Sequence, residues 1–146
     1  VNYPGLDSNQ YKEVADRVVF LGQVPTLELP RLYSAADAFI LASRDRSEHC
    51  DVEGFGIVFI EAAACGAATI GGRSGGVADA VDDGKTGLLV DPRDPAAVAA
   101  AISTLLADPA VARRLGEAGR RRAHLEFSWQ RFGHAVEAIV DEALAR

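Results

Sequence analysis

The sequence predicts an α/β domain: a parallel sheet with helices on both faces, followed by a C-terminal helical extension. Three observations predict it. Short apolar runs rich in β-branched and aromatic residues alternate with stretches of helical periodicity between residues 17 and 90. The runs are left through polar, glycine-bearing loops, as expected where strand ends open towards a ligand. From Asp94 onward the pattern is helical only. Strands alternating with helices in this way imply parallel pairing through crossover connections.

Residues 1 to 16 are polar and mixed, broken by Pro4 and Gly5, so the chain starts without a clear first strand. Tyr11 to Ala15 reads as the tail of a helix or as a loop. Arg17 to Gly22 is expected as the first buried strand. Thr26 is placed to cap a helix over Leu27 to Ala36, with Glu28 in its first turn, Pro30 near the end of that turn, and Leu29, Leu32, Tyr33 and Ala36 on one apolar face. Ala38 to Ala42 is expected as the next buried strand. A polar loop, Ser43 to Val52, leads to a helix from about Ile57 to Cys65 that ends at Gly66. Ala67 to Gly71 forms a third strand, Gly71 to Gly76 a glycine-rich loop, and Val77 to Val81 a short helical turn. Asp82 to Lys85 is a turn before a fourth strand, Thr86 to Val90.

Asp94-Pro95, Asp108-Pro109 and Ser128 each mark the start of a further helix. Val98, Ile102, Leu105 and Leu106 form the inner face of the first. Arg113, Arg114, Arg120, Arg121 and Arg122 lie mostly on a solvated face of the second, beside Glu117 and Glu126. Phe132, Val136, Ile139, Val140 and Ala143 form the expected buried side of the last.

Composition narrows the function. At 146 residues, 49% hydrophobic and 25% charged, the chain is one ordinary globular domain. A net charge of −6 opposes a nucleic-acid-binding surface. No apolar run approaches the length that spans a bilayer, and no secretory signal opens the chain. Cys50, beside His49 in a polar loop, and Cys65, in an alanine-rich helix, make neither a disulfide framework nor a zinc site, so a reduced cytosolic setting is expected. His124 and His134 are isolated on late helices, and no Ser, Cys or His nucleophile has a positioned base.

The most informative stretch is Asp51 to Glu61. Glu53 and Glu61 bracket Gly54, Gly56 and the first turn of an apolar helix. Amides at a helix start attract anions, and carboxylates accept hydrogen bonds from neighbouring hydroxyls, so the stretch suits a ligand with both phosphate and hydroxyl groups. A nucleotide sugar has both. On the residues alone, Glu53 reads equally as a charge favoured by the helix dipole, and Gly54 and Gly56 read as turn glycines. Glu61 on an apolar helix asks for a partner, because an unpaired buried carboxylate is costly. Arg73 in the glycine-rich loop reads as solvated rather than as a phosphate ligand. The site requires convergence of three loops: Gly22 to Pro25, Ser43 to Gly56 and Gly71 to Gly76.

Val18-Val19-Phe20-Leu21-Gly22, Leu32-Tyr33-Ser34-Ala35-Ala36-Asp37, Glu53-Gly54-Phe55-Gly56-Ile57-Val58-Phe59-Ile60-Glu61-Ala62, Ala64-Cys65-Gly66, Gly75-Gly76, Gly84 to Val90 and Phe127-Ser128-Trp129 follow one another in a characteristic order. From about Arg17 onward the chain resembles the C-terminal, nucleotide-sugar-binding domain of retaining GT-B glycosyltransferases of family 4. The Asp51-Val52-Glu53-Gly54 lead-in is most similar to the phosphatidylinositol mannosyltransferases. The resemblance implies a Rossmann-like fold, the C-terminal half of a GT-B enzyme, that binds a nucleoside diphosphate sugar (GDP-mannose or a UDP-sugar) as substrate. It further implies retaining, metal-independent transfer to an acceptor, with no cofactor. Glu53 is the expected catalytic residue and accepts hydrogen bonds from the donor sugar. The backbone of Gly54, Phe55, Gly56 and Ile57 holds the sugar and distal phosphate, Glu61 binds the ribose hydroxyls, and Val24 lies against the base.

The family often has proline where Ala68 stands and glutamate where Asp79 stands. The Arg and Lys pair that neutralises the donor diphosphate has no match in this sequence. The expectation is therefore a single donor-binding domain over residues 1–146, truncated at its N-terminus and without the acceptor-binding domain. Such a chain binds nucleotide sugar weakly and is inactive alone; the full-length protein is the enzyme. Its partners are the donor and the missing domain, through which any contact with the inner face of a membrane is made. Two other readings stand beside this one: a non-catalytic nucleotide-sugar-binding module, and a GT-B-like nucleotide-sugar epimerase.

Overall fold

A computed structural model describes residues 14–44 and 53–145. The expectations for Tyr11 to Glu13, and those for His49, Cys50, Asp51 and Val52, lie outside the described residues. Strands β1 (Phe39–Leu41), β2 (Thr69–Gly72) and β3 (Gly87–Val90) form a three-stranded sheet in the order β1-β2-β3, parallel throughout. Phe39 pairs with Thr69, and Thr69 in turn with Gly87. Helix α1 (Leu29–Ala35) precedes β1, α2 (Ile57–Ala64) links β1 to β2, and α3 (Val77–Ala80) links β2 to β3. Helices α4 (Pro95–Ala107), α5 (Pro109–Glu126) and α6 (Trp129–Leu144) complete the chain. The α/β class, the parallel sheet and the helical C-terminal extension are as expected.

Both faces of the sheet are covered at β2 and β3, where the strands alternate between layers as the pleat requires, whereas β1, expected to be buried, leaves Ile40 and Leu41 exposed. Phe59, Val77, Ala80, Val81 and Leu89 pack as one core beneath α2 and α3. Ala68, Ile70, Ala101, Leu105 and Leu115 form the other beneath α4 and α5, joined by Leu88 and Val90. Leu89 thus faces one layer while its two neighbours face the other. Every residue of β2 is buried.

The late helices start as their caps dictate. Asp94 accepts a hydrogen bond from Ala96 N–H, Asp108 from Ala110 and Val111 N–H, and Ser128 from Arg131 N–H. Pro95 and Pro109 occupy first-turn positions, where the missing N–H costs nothing. Gly66, with φ of +87°, ends α2 in the left-handed conformation that glycine adopts without strain. Gly116 lets α5 close on the α2–β2 connection, since a Cβ there would lie 2.2 Å from Gly66 O.

Several expectations are corrected. The run Arg17 to Gly22 is not a strand: Ala15–Arg17 is a 3₁₀ turn, and Val19 and Leu21 are 77% and 59% exposed. A strand exists only through a partner, and among the described residues β1 pairs with β2 alone. Thr26 does not cap the next helix with its side chain. Instead, Thr26–Glu28 is a 3₁₀ turn, and α1 begins at Leu29 with Pro30 in its first turn. The apolar face of α1 contains no buried residue. Helix α6 buries none of its residues either, leaving Phe132, Val136, Ile139 and Val140 exposed. In α4 the inner face is Ala101 and Leu105 with Ile102 packed against the same core, while Leu106 is 57% exposed. No single helix among the described residues is long and apolar enough to cross a membrane.

Arg73 and Arg122 are structural. Arg73 pairs with Asp83 at 2.7 Å and also donates to Leu89 O at 3.2 Å, tying the loop after β2 to β3. Asp83 Oδ1 accepts from Leu89 N–H at 2.9 Å. That backbone hydrogen bond, reinforced by Arg73, holds the Asp83 carboxyl below the usual aspartate range despite its partial desolvation. A depressed folded-state pKa contributes stability that is complete above the unfolded value of about 3.9 and is lost as pH falls through the folded value. Asp83→Asn is therefore expected to flatten the acid limb of a stability-versus-pH curve, read by urea melts between neutrality and strong acid.

Arg122 is not on the solvated face with the other four arginines. It donates to Asp79 O at 2.8 Å and Ala80 O at 3.0 Å, capping α3. It also pairs with Glu126 at 2.8 Å and lies 5.1 Å from the Phe127 ring centroid. Arg122→Ala is expected to cost about 1–3 kcal/mol in a denaturant melt, because two carbonyls lose charged donors and Phe127 loses its cover.

Candidate functional site

The site forms where the loops after β1 and β2 meet at the start of α2. Gly76 N–H donates to Glu53 O at 3.0 Å, so the glycine-rich loop holds the Glu53 backbone directly. The close approach needs glycine, since a Cβ at Gly76 would sit 2.0 Å from Gly54 O. On the other side, Ser43 Oγ lies 3.5 Å from Glu53 Oε2 as donor. Gly72 brings the end of β2 against Ser43, where a Cβ would meet the carbonyl oxygen at 2.5 Å.

Gly56 occupies the N-cap of α2 with φ of +82°, and a Cβ there would lie 2.6 Å from the Phe59 ring. Glycine is required on both counts. Phe59 N–H bonds back to Gly56 O at 2.9 Å, while the earliest amides of a helix have no intrahelical acceptor. The helix start therefore presents backbone donors and the positive end of its dipole beside Glu53. Phe55 is half-buried and packs on Phe127 at 5.6 Å between centroids, so the loop is anchored to the end of α5. Gly54 and Ile57 are exposed at the mouth.

Glu61 lies one turn into α2, and its side chain leans back towards the helix start. It is exposed, which corrects the expectation of a buried carboxylate needing a partner. It has a partner nonetheless: Tyr33 Oη donates to Glu61 Oε2 at 3.3 Å. Burial, followed by the charge and hydrogen bond of Glu61, raises the Tyr33 phenol above its ordinary value.

Two of the three expected loops thus converge on Glu53. The third contributes differently. Val24 is half-buried in an open depression lined also by Leu21, Gln23, Pro25 and Leu32, and it is the following helix α1 that brings Tyr33 to the site. Tyr33 and Ser43 are the residues that the sequence reading missed as site members. A tyrosine on an otherwise apolar helix face was the available signal for the first, since a buried hydroxyl needs a partner. Arg73 is exposed, as expected, and pairs with Asp83. Cys65 is half-buried at the end of α2. Among the described residues no group of three or more His, Cys, Asp or Glu side chains is gathered to hold a metal ion.

A family model described as glycosyl transferases group 1 matches residues 7–122. The chain is 46% identical over 127 residues to a GDP-mannose-dependent alpha-(1-6)-phosphatidylinositol monomannoside mannosyltransferase of Mycolicibacterium smegmatis, covering 87% of this chain and 33% of that protein. It is 37% identical over 128 residues to the monoacylated-substrate counterpart of Corynebacterium glutamicum, covering 88% and 33%. Among solved structures, sucrose-phosphate synthase from Thermosynechococcus elongatus superposes with a TM-score of 0.82 at 38% identity, covering 94% of this chain and 33% of that one. The Anabaena protein HepE, solved in complex with UDP, shares the fold with a TM-score of 0.82 at 24% identity over 92% of this chain and 35% of its own. The chain spans about a third of the length of the curated relatives it matches.

Proposed function

The chain belongs to the glycosyl transferases group 1 family, and on that premise we propose that it is the donor-binding part of a longer enzyme, one that transfers mannose from GDP-mannose to a phosphatidylinositol-mannoside-type acceptor. The observation that carries this reading is the cradle at the start of α2. There, Glu53 is held from both sides by Ser43 and Gly76, and Glu61 is displayed one turn further on. The 46% identity to a GDP-mannose-dependent relative favours that donor over a UDP-sugar.

The chemistry follows from the residues. Glu61 accepts hydrogen bonds from the ribose hydroxyls, as a carboxylate does at the nucleotide end of other parallel-sheet folds. The amides of Gly54, Phe55, Gly56 and Ile57 bind the distal phosphate and gain strength as negative charge builds on the departing diphosphate. Glu53 accepts from hydroxyls of the sugar and orients its anomeric carbon. Val24, with Leu21 and Leu32 beside it, offers an apolar wall for the base. Transfer with retention at the anomeric carbon, without a metal, completes the proposal. The acceptor site and the cations that neutralise the diphosphate are assigned to the remainder of the polypeptide.

Titration calorimetry of this chain with GDP-mannose, UDP-glucose and ADP-glucose tests the reading. Saturable binding with GDP-mannose the tightest is expected. Absence of binding to all three at millimolar ligand contradicts it.

A further inference from the structure

We propose that Tyr33 is a positioning residue for the donor nucleotide, its hydroxyl holding the Glu61 carboxylate in the orientation that receives the ribose hydroxyls. The inference rests on the ribose-binding reading of Glu61 and extends it to a residue on a different element, 28 positions earlier in the chain.

Tyr33 is fixed from below. Its ring meets Phe39 edge-on at 5.4 Å and 84°, and Phe39 meets Phe59 edge-on at 5.5 Å and 79°. Phe59 has no exposed surface and belongs to the core under α2 and α3. Three rings therefore run from the core through β1 to α1, and such edge-to-face contacts fix ring orientation as well as burying area. At the outer end, Tyr33 Oη reaches Glu61 Oε2 at 3.3 Å. Glu61 is two residues after Phe59 on α2, so the inward and outward side chains of the same helical turn are linked by one aromatic path.

The consequence concerns order rather than new contact with the ligand. An exposed glutamate samples many rotamers, and freezing such a side chain on binding costs about 0.5–1.5 kcal/mol. A protonated phenol bonded to one carboxylate oxygen leaves the other oxygen, and the remaining lone pairs of the first, directed outward. A ribose presents two adjacent hydroxyls, which match a carboxylate held with both oxygens accessible. A phenol is protonated at neutral pH in any case, so the donor is available.

The test is Tyr33→Phe, which keeps the ring and its packing and removes the hydroxyl alone. Binding of GDP and of 2′,3′-dideoxy-GDP is measured by calorimetry for the parent chain, Tyr33→Phe, Glu61→Ala and the double variant. Tyr33→Phe is expected to weaken GDP binding about 3- to 10-fold, the side-chain ordering cost expressed as affinity. It is expected to leave dideoxy-GDP binding unchanged and to have no further effect in the Glu61→Ala background. Unaltered GDP affinity in Tyr33→Phe, alongside weakened binding in Glu61→Ala, overturns the inference and leaves the ribose reading standing. Equal losses for GDP and dideoxy-GDP in Tyr33→Phe assign it a packing role and overturn the inference also. Unaltered GDP affinity in Glu61→Ala removes the ribose reading itself, and the inference with it.

Discussion

Glu61→Ala is expected to weaken GDP binding by roughly 10- to 150-fold, the effect of losing charge-assisted hydrogen bonds worth about 1.5–3 kcal/mol. The fold is expected to be nearly indifferent. Glu61 is exposed, alanine is the best helix former, and the partner left behind is a single hydroxyl that can turn to water. The melting temperature therefore stays close to the parent value while affinity falls. Calorimetry with GDP, paired with a thermal melt, reads both. A large loss of stability with proportionate loss of binding instead makes Glu61 a structural residue.

Gly76→Ala is expected to damage fold and site together. The added methyl group would stand 2.0 Å from Gly54 O and 3.1 Å from Phe55 Cα, both backbone atoms with no rotamer to escape into. The φ of Gly76 is −82°, so the cost is steric and not conformational. Relief requires the Glu53–Gly54 segment to move away, breaking the Gly76 N–H to Glu53 O bond and displacing the carboxylate held there. Overpacking of this kind costs about 1–3 kcal/mol. A denaturant melt is expected to register that loss, and binding of GDP-mannose is expected to fall with it. Gly54→Ala is the matched control: nothing lies within 4 Å of a Cβ at that position, so stability is retained.

What could be read from the sequence was whatever depends on local chemistry or on burial from both sides. The caps at Asp94, Asp108 and Ser128 were legible because the side chain that makes the hydrogen bond is adjacent to the amide that needs it. The strands β2 and β3 were legible because each has its covering layers within this chain. The run Arg17 to Gly22 has the same composition but no strand pairing among the described residues, and composition cannot supply a partner. Helix α6 shows the same failure in a helix: its apolar stripe is real, but Trp129, Phe132 and Ile139 are 87%, 62% and 68% exposed. A stripe states which face prefers burial, not whether anything covers it.

The candidate site divides along the same line. The placement of Glu53, the two glycines and Glu61 around a helix start was legible from the sequence. The contacts that order them come from elsewhere in the chain. Ser43 is 10 residues from Glu53 and Tyr33 is 28 from Glu61, separations at which no periodicity links the partners. Arg122 was grouped with its neighbours as solvated, although it faces inward to two carbonyls more than 40 residues away. Helical spacing could have separated it from Arg120 and Arg121; what it touches could not be read in that way.

The central claim is that the start of α2 is a nucleotide-sugar cradle. Backbone amide NMR of this chain during titration with GDP-mannose tests it most directly. The largest saturable shifts are expected at Gly54, Phe55, Gly56, Ile57 and Gly76, with Glu61 following. Shifts confined to another surface, such as the arginine face of α5, or no shifts at millimolar ligand, would contradict it.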